Sequence, residues 1–345
     1  MKPWLSRSFL LALALLCTGE LVVRLFFARN MSGRFEYGYH PTAGFQENSD
    51  GTVRLVRAGG RRFHPQSFSQ ARPEGTYRVL VIGDSVPRGP SLESSYPRLL
   101  AGELGAAGLK AESYNLAVPG YGSRRKQIVL EQALKYHPSL IILHVNGSNE
   151  YEDEREYKRS AEFKSWHPRN WPMKSLVIRR LYEAKTEQMF WNWLPVEVRA
   201  QRAANDADAE VSASINPEKV RVWDERVRRI TTESAALARS SGVPVLLVTQ
   251  ATLDRTAPGR PTLDEGNLET LGRSLEQPMV GYLSMKKVLE TNDYLNLFSD
   301  TSHLKREGHR ILAEAIVTWL RQHGWIQPPP AVQSPTSGKA GELER

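Results

Sequence analysis

Short apolar runs rich in β-branched residues alternate with helical patterns from residue 76 onward, and this alternation limits the possible folds most strongly. The runs read as buried strands at 77–82, 113–118, 140–145 and 243–249, with a weaker one at 294–298. Amphipathic patterns predict helices at 94–108, 122–136, 218–241 and about 305–322. Short buried strands alternating with helices indicate a mostly parallel sheet covered on both faces, which is a three-layer α/β/α sandwich.

Composition excludes several other classes of protein. The chain has 345 residues, of which 40% are hydrophobic and 24% charged, as in ordinary globular proteins. It has one cysteine, Cys17, so neither an internal disulfide framework nor a multi-thiolate metal site is possible. The net charge of +8 is concentrated in residues 1–80, which hold 11 Lys and Arg against 5 Asp and Glu. The nearly neutral remainder gives no reason to expect a nucleic-acid partner.

The first 29 residues have the pattern of a membrane or export segment. Lys2 and Arg7 precede an apolar stretch at 8–27, which is long enough to cross a bilayer as a helix. We predict an uncleaved signal-anchor at 1–29, with the body outside the cytoplasm, in the periplasm or at the cell surface. A signal peptide cleaved near Gly19, which would release the body, and a lipoprotein anchored at Cys17 are the alternatives.

The remaining segments differ in composition from the alternating pattern. Residues 30–74 contain isolated aromatics and are expected to form an arm that packs on a main domain at 75–326. Within that domain, the insertion at 151–217 is predicted to be helical and contains four tryptophans, Trp166, Trp171, Trp191 and Trp193. It reads either as an extra structural layer or as a lid over a binding site. The tail at 327–345 is expected to be disordered.

Four short motifs follow predicted strands or precede the last helix. They are Gly83-Asp84-Ser85, Pro119-Gly120, Gly147-Ser148-Asn149-Glu150 and Asp300-Thr301-Ser302-His303. Each is a weak signal alone. A parallel sheet, however, would gather all four at the carboxyl edge of its strands, where open α/β sheets bind their ligands.

Together these motifs supply the parts of an acyl-transfer site. Ser85 is the candidate nucleophile, His303 the base that removes its proton, and Asp300 the group that orients the imidazole. The backbone N–H groups of Ser85 and Gly120 and the side-chain amide of Asn149 are candidate oxyanion donors. As structural alternatives, Ser85 and Asp300 could be helix caps and Asn149 an ordinary turn residue.

Other polar residues are assigned structural roles. His144 is expected to be a core histidine and His309 a structural residue of the last helix. The remaining histidines lack metal-site spacing, so no metal or organic cofactor is predicted. Arg124, Arg125 and Lys126 are interpreted as a solvated helix face, with the steering of an anionic substrate as the alternative. Signatures of α/β-hydrolase elbows, P-loops, dinucleotide sites and zinc proteases are absent from the sequence.

The motifs GDSV, PGYG, GSNE and DTSH resemble the four sequence blocks of the SGNH/GDSL hydrolases, over about residues 75–323 apart from the insertion. The resemblance implies a flavodoxin-like sheet and a serine esterase or acyl hydrolase with Ser85, Asp300 and His303 as its triad. It also implies an oxyanion hole formed by Ser85, Gly120 and Asn149.

The anchor and the insertion resemble membrane-tethered bacterial members of this family, some of which act on acyl groups of envelope glycans. The expected substrate is therefore an ester-bearing small molecule, glycan or lipid, with acetyl among the acyl groups. An O-acyltransferase that uses the same triad, and a non-catalytic glycan-binding or scaffold protein on the same fold, are the alternatives.

Overall fold

A computed structural model describes residues 3–27, 44–58, 61–154, 216–254 and 261–326, together with the isolated residues 157, 168, 175 and 177. The N-terminal helix α1 spans Pro3–Val22 and continues as a π-helical turn at Val23–Phe27. Its window Ser8–Leu25 has a mean hydropathy of 1.9, and none of it is buried. This exposed apolar helix passes the length and composition test for a membrane span, as a signal sequence would also do.

Residues 44–69 form small antiparallel sheets beside the main body. The strands are β1 (Phe45–Glu47), β2 (Thr52–Leu55), β3 (Arg57–Ala58), β4 (Arg61–Arg62) and β5 (Ser67–Ser69), paired as β1-β2-β5 and β3-β4. Phe45 and Phe68 are buried against Tyr136 of the main body, with ring centroids 5.3 Å away in each case. The arm therefore contributes to the hydrophobic core that supports the sheet. The arm aromatics Phe35, Tyr37 and Tyr39 lie outside the described residues.

Five parallel strands form the central sheet. They are β6 (Tyr77–Gly83), β7 (Ala111–Ala117), β8 (Leu140–Val145), β9 (Val245–Thr249) and, after the hairpin β10 (Thr252–Asp254) and β11 (Thr262–Asp264), β12 (Val280–Ser284). Their order across the sheet is β12-β9-β8-β6-β7, with every pairing parallel. If the five strands are numbered 1 to 5 in chain order, their order across the sheet from the β7 edge is 2-1-3-4-5. This is the flavodoxin-like order, which confirms the predicted fold class.

Helices cover both faces of this sheet. They are α2 (Ser85–Arg88), α3 (Tyr96–Ala106), α4 (Ser123–Ala133), α5 (Pro217–Ser240), α6 (Leu268–Leu275), α7 (Met285–Glu290) and α8 (Arg306–Gln322). In β6, Leu80 and Ile82 pack into the core with α4, α5, α6 and the arm, whereas Val79 and Val81 pack into the core with α3, α7 and α8. Successive residues of a strand point to opposite faces, so this sheet is buried on both sides as its continuous apolar strands predict.

The predicted strand at 294–298 is wrong. Residues Tyr294–Asn296 form a 3-10 helix, and the fifth strand of the sheet is β12 instead. The polar residue Asn296 interrupts the apolar run, and its side chain donates to Asp293 at 2.6 Å, a local contact that favours a turn. The other four predicted strands and the four predicted helices lie within three residues of their predicted ends.

The sequence does not predict β12 because the strand contains Gly281, and glycine is unfavourable in strands. Gly281 is required in the structure by close packing: a Cβ built on it would lie 2.1 Å from the Trp319 ring. Nearly all of the insertion at 151–217, including its four tryptophans, lies outside the described residues, as does the tail at 327–345.

Candidate active site

The four motifs follow the ends of neighbouring strands or precede the last helix. Strand β6 ends at Gly83, Asp84 caps helix α2, and Ser85 is the first residue of that helix. Gly120 follows β7 and has a positive φ of 73°, a conformation that glycine adopts readily. Asn149 lies in the turn after β8, and Asp300 to His303 lie just before α8. The sheet thus presents these residues at its carboxyl edge.

Ser85, His303 and Asp300 form a continuous hydrogen-bonded chain. His303 Nε2 lies 2.8 Å from Ser85 Oγ, and His303 Nδ1 lies 2.7 Å from Asp300 Oδ2. A carboxylate only accepts, so it fixes the imidazole proton on Nδ1 and leaves the Nε2 lone pair facing the serine hydroxyl. This arrangement can remove a proton from Ser85 Oγ.

Backbone donors hold the Asp300 carboxylate in place. Its Oδ1 accepts the N–H groups of Ser302 and His303, both at 2.8 Å. Burial alone would raise the pKa of Asp300, but these two donors and the His303 ring lower it below its usual value. Asp300 therefore stays ionised at neutral pH. The side chains of Asp300 and His303 are 54% and 44% exposed, so this side of the triad faces solvent.

A neighbouring strand and a local turn support the loop that carries Asp300 and His303. The Leu253 N–H of β10 donates to the Thr301 carbonyl at 2.8 Å. The Ser299 N–H donates to the His303 carbonyl, also at 2.8 Å. The loop is therefore fixed both by a bond to β10 of the β10-β11 hairpin and by a bond within the loop itself.

The predicted oxyanion donors lie in the segments that follow β6, β7 and β8, which are adjacent in the sheet. The Ser85 N–H is at the first position of α2, where the helix itself supplies no acceptor. Asn149 is half-buried in its turn. Such a set of two backbone donors and one amide is suited to stabilising an oxyanion.

The prediction of a solvated face at Arg124, Arg125 and Lys126 is wrong for two of the three residues. Lys126 is 3% exposed, and its ammonium donates to Asp84 Oδ2 at 2.9 Å. Arg125 is also buried and forms an ion pair with Asp153. Both charges are tolerated inside because each has a buried carboxylate as partner. These partners lie 42 and 28 residues away in the sequence, so helical periodicity could not reveal them.

The buried ion pair also sets the charge state of Asp84. Burial would raise the pKa of this carboxyl group, but the Lys126 ammonium and the Val86 N–H hold it below its usual value. Asp84 Oδ1 accepts that N–H at 2.9 Å and so caps the helix that begins with Ser85. The residue before the candidate nucleophile is thus an ionised, fully buried cap.

Two further carboxylates that the sequence did not single out for catalysis lie at the N-terminus of α4. Glu150 accepts the Ser123 N–H at 2.6 Å, and Asp153 accepts the N–H groups of Gly122 and Arg124, both at 3.0 Å. Burial, reinforced by the nearby Asp153, raises the pKa of Glu150 to about 7. These contacts join the turn that holds Asn149 to the segment that follows Gly120.

His144, predicted to be a core histidine, and His309, predicted to be structural, are both buried beside Tyr96. His144 Nδ1 lies 3.4 Å from the Tyr96 hydroxyl, and His309 Nδ1 accepts the Tyr96 N–H at 3.3 Å. Burial lowers the pKa of each to about 4, so both are neutral at physiological pH. Among the described residues, no group of three or more His, Cys, Asp or Glu side chains could hold a metal ion.

Comparisons with known proteins find similarity to solved structures. No family model matches the chain, and no curated protein matches it. Similar solved structures include the acetyl xylan esterase AlAXEase, at 14% identity and a TM-score of 0.42, covering 71% of this chain and 100% of that one. TesA has the same identity and TM-score, covering 71% of this chain and 98% of that one.

A third similar structure belongs to the lipolytic G-D-S-L family and comes from Veillonella parvula. It is 11% identical, with a TM-score of 0.39, covering 71% of this chain and 98% of that one. Identities and TM-scores this low transfer neither family membership nor activity, so the functional assignment depends on the geometry of the site. The chain thus combines a 2-1-3-4-5 parallel sheet with an aligned serine, histidine and aspartate at its carboxyl edge, and it is similar in structure to solved esterases and G-D-S-L proteins.

Proposed function

We propose that this chain is a serine esterase or acyl hydrolase of the SGNH/GDSL type. The observation that carries the proposal is the continuous chain from Ser85 Oγ through the His303 ring to Asp300, with separations of 2.8 and 2.7 Å. A helix-capping serine needs no histidine at its Oγ, and in this structure the cap of α2 is Asp84. The geometry therefore favours a nucleophile over the structural alternative for Ser85.

In the proposed reaction, Ser85 Oγ attacks the ester carbonyl carbon while His303 Nε2 takes the hydroxyl proton. The N–H groups of Ser85 and Gly120 and the Asn149 amide stabilise the oxyanion. When the tetrahedral intermediate collapses, the ester C–O bond breaks and His303 returns the proton to the leaving alcohol. Water, deprotonated by His303, then attacks the acyl-enzyme. In the second collapse the acyl–Oγ bond breaks, His303 returns the proton to Ser85 Oγ, and the carboxylic acid is released.

The proposed substrates are acyl groups, acetyl among them, that are ester-linked to glycans or lipids of the cell envelope. Two observations support this class. The exposed sides of Asp300 and His303 leave the described part of the site open to a bulky alcohol. The apolar helix α1 suits a protein that works at a membrane surface.

We further propose that α1 stays attached as a signal-anchor, with the body outside the cytoplasm. Near the end of the apolar window, the Glu20 carboxylate accepts the Ser175 hydroxyl at 2.8 Å and the Val177 N–H at 3.1 Å. These contacts with Ser175 and Val177 of the insertion support an anchor that stays attached to the body, since cleavage and release of the segment would break them.

Hydrolysis of an aryl acetate by the purified chain tests the proposed activity. We expect the wild type to release the phenol and Ser85→Ala to be at least about 10³-fold slower, because the nucleophile is lost. Ser94→Ala, which changes a half-buried serine bonded to Ser91, is the matched control and should retain activity. Equal rates for Ser85→Ala and the wild type would contradict the proposal, whereas faster acyl transfer to an oligosaccharide than to water would identify an O-acyltransferase.

A further inference from the structure

The Lys126 ammonium group uses all three of its N–H donors on acceptors from different parts of the site. It donates to Asp84 Oδ2 at 2.9 Å, to the His144 carbonyl at 3.1 Å and to Asn146 Oδ1 at 3.1 Å. A lysine ammonium has three donors and no acceptor, so these bonds satisfy the group completely.

The acceptors belong to the segments that carry the candidate oxyanion donors. Asp84 precedes Ser85 and caps its helix through the Val86 N–H. His144 and Asn146 lie at the end of β8, shortly before the turn of Asn149. Lys126 itself belongs to α4, the helix that follows Gly120. One buried cation therefore joins the three segments that follow β6, β7 and β8.

The acceptors of Lys126 are themselves fixed. Asn146 donates its side-chain amide to Gln250 Oε1 at 3.1 Å, and Gln250 in turn donates its N–H to the Val145 carbonyl at 2.9 Å. Asp84, Lys126, His144 and Asn146 are all buried. With the acceptors held in this way, displacing the ammonium would displace the turns that it joins.

Stability alone is a weak reason for a charge at this position. Well-packed apolar residues often replace a buried ion pair without loss of stability, since removing both charges from water is costly. A directional requirement explains the lysine better, because an apolar side chain cannot make three hydrogen bonds that join α4 to the ends of β6 and β8. The three acceptors lie at the ends of β6 and β8, so the lysine fixes the positions of these strand ends relative to α4.

We propose that Lys126 is a positioning residue for the oxyanion hole, holding the segments of Ser85, Gly120 and Asn149 in their relative places. This inference rests on the proposed esterase function. Lys126 acts through its bonds to Asp84 and to the end of β8, and through its own helix. Its removal should therefore impair the transition state more than the binding of the ester.

The test measures kcat and KM for an aryl acetate with full-length chain in detergent. The variants are Lys126→Met, Asp84→Asn and the double variant. The control is Lys135→Met, which changes an exposed lysine whose ammonium donates to Gln132 one turn away. We expect Lys126→Met to lower kcat by about 10²-fold, the size of effect seen when one oxyanion donor is lost. We expect KM to change less than about threefold and Lys135→Met to behave as wild type.

The double variant separates positioning from stability. With both charges removed, no unpaired buried charge remains, so its unfolding midpoint should return toward that of the wild type. The positioning role predicts that its kcat stays low although the protein is folded. If the double variant or folded Lys126→Met has a kcat within threefold of the wild type, the inference is overturned. In that case the proposed function stands, whereas an inactive wild type would contradict both.

Discussion

At the scale of single residues, Asn149 differs from the other two proposed oxyanion donors because it acts through its side chain. Ser85 and Gly120 offer backbone N–H groups, which substitution does not remove. The Asn149 amide can be deleted while its turn remains, since Glu150 and Asp153 hold that turn against α4 through hydrogen bonds of 2.6 to 3.0 Å. Its role is therefore open to a direct test.

We expect Asn149→Ala to lower kcat for an aryl acetate by about 10²- to 10³-fold, with KM little changed, because an oxyanion donor acts on the transition state. Steady-state kinetics measure both constants. Asn292→Ala, which removes an exposed amide bonded to the Val288 carbonyl, is the control and should leave both unchanged. A kcat near that of the wild type for Asn149→Ala would show that Asn149 is an ordinary turn residue.

The residues of the proposed triad could be predicted from the sequence because of where their motifs lie. Gly83-Asp84-Ser85 follows a continuous apolar strand, and Asp300 and His303 precede an amphipathic helix, so the topology brings them to one edge. Lys126 and Asp153 could not be found in this way. Their roles depend on partners that meet only after folding, and a charged run on a helix usually faces water.

At the scale of elements, the hairpin of β10 and β11 connects the end of the sheet with the loop of His303. Its Leu253 N–H bonds to the Thr301 carbonyl on one side. Directly after β11, the buried Glu265 carboxyl accepts hydroxyl protons from Thr249 at the end of β9 and from Tyr282 and Ser284 of β12. Burial raises the pKa of Glu265 to about 7, and its hydroxyl donors oppose this rise only in part.

Glu265 should make the free energy of unfolding depend on pH. Between about pH 4.5 and 7 the folded protein keeps a proton that the unfolded chain loses, so stability falls as the pH rises through this range and then levels off. Glu265→Gln removes this contribution. We expect its thermal midpoint to fall less between pH 5 and pH 8 than that of the wild type, by at least about 2 °C, the shift caused by a change of one kcal/mol in a large domain.

Glu150 has its pKa raised to about 7 as well, so Glu265→Gln should reduce the pH dependence without abolishing it. Thermal unfolding followed by circular dichroism at pH 5, 6, 7 and 8 measures the effect. Glu276→Gln is the control, since Glu276 follows α6 and its side chain is exposed to solvent. Equal pH dependence in Glu265→Gln and the wild type would contradict the assignment.

The elements that the sequence did not predict are those with weak local signals. Strand β12 contains Gly281, which fits the Trp319 ring, and the hairpin strands β10 and β11 have three residues each. Their formation depends on contacts with β9 and with the loop of Thr301, not on local propensity. The long apolar strands and the amphipathic helices, by contrast, carry their burial pattern in the sequence.

At the scale of the whole molecule, the proposed signal-anchor predicts that the exposed apolar helix keeps the α/β body attached to a membrane. We expect the expressed chain to stay in the membrane fraction after a carbonate wash, with a mass of 38.9 kDa that shows an intact N-terminus. Deletion of residues 1–29 should release the body. A soluble wild-type chain with a new N-terminus near residue 20 would instead identify a cleaved signal peptide.

The central claim is that Ser85 is an activated nucleophile, and covalent labelling tests it most directly. Full-length chain treated with a fluorophosphonate should be labelled on the peptide that contains Ser85, as located by mass spectrometry. Phosphonylation joins Ser85 Oγ to phosphorus and releases fluoride, with His303 accepting the proton. Ser85→Ala should abolish the label, and Ser94→Ala should keep it. An unlabelled wild type, or a label that persists in Ser85→Ala, would contradict the account.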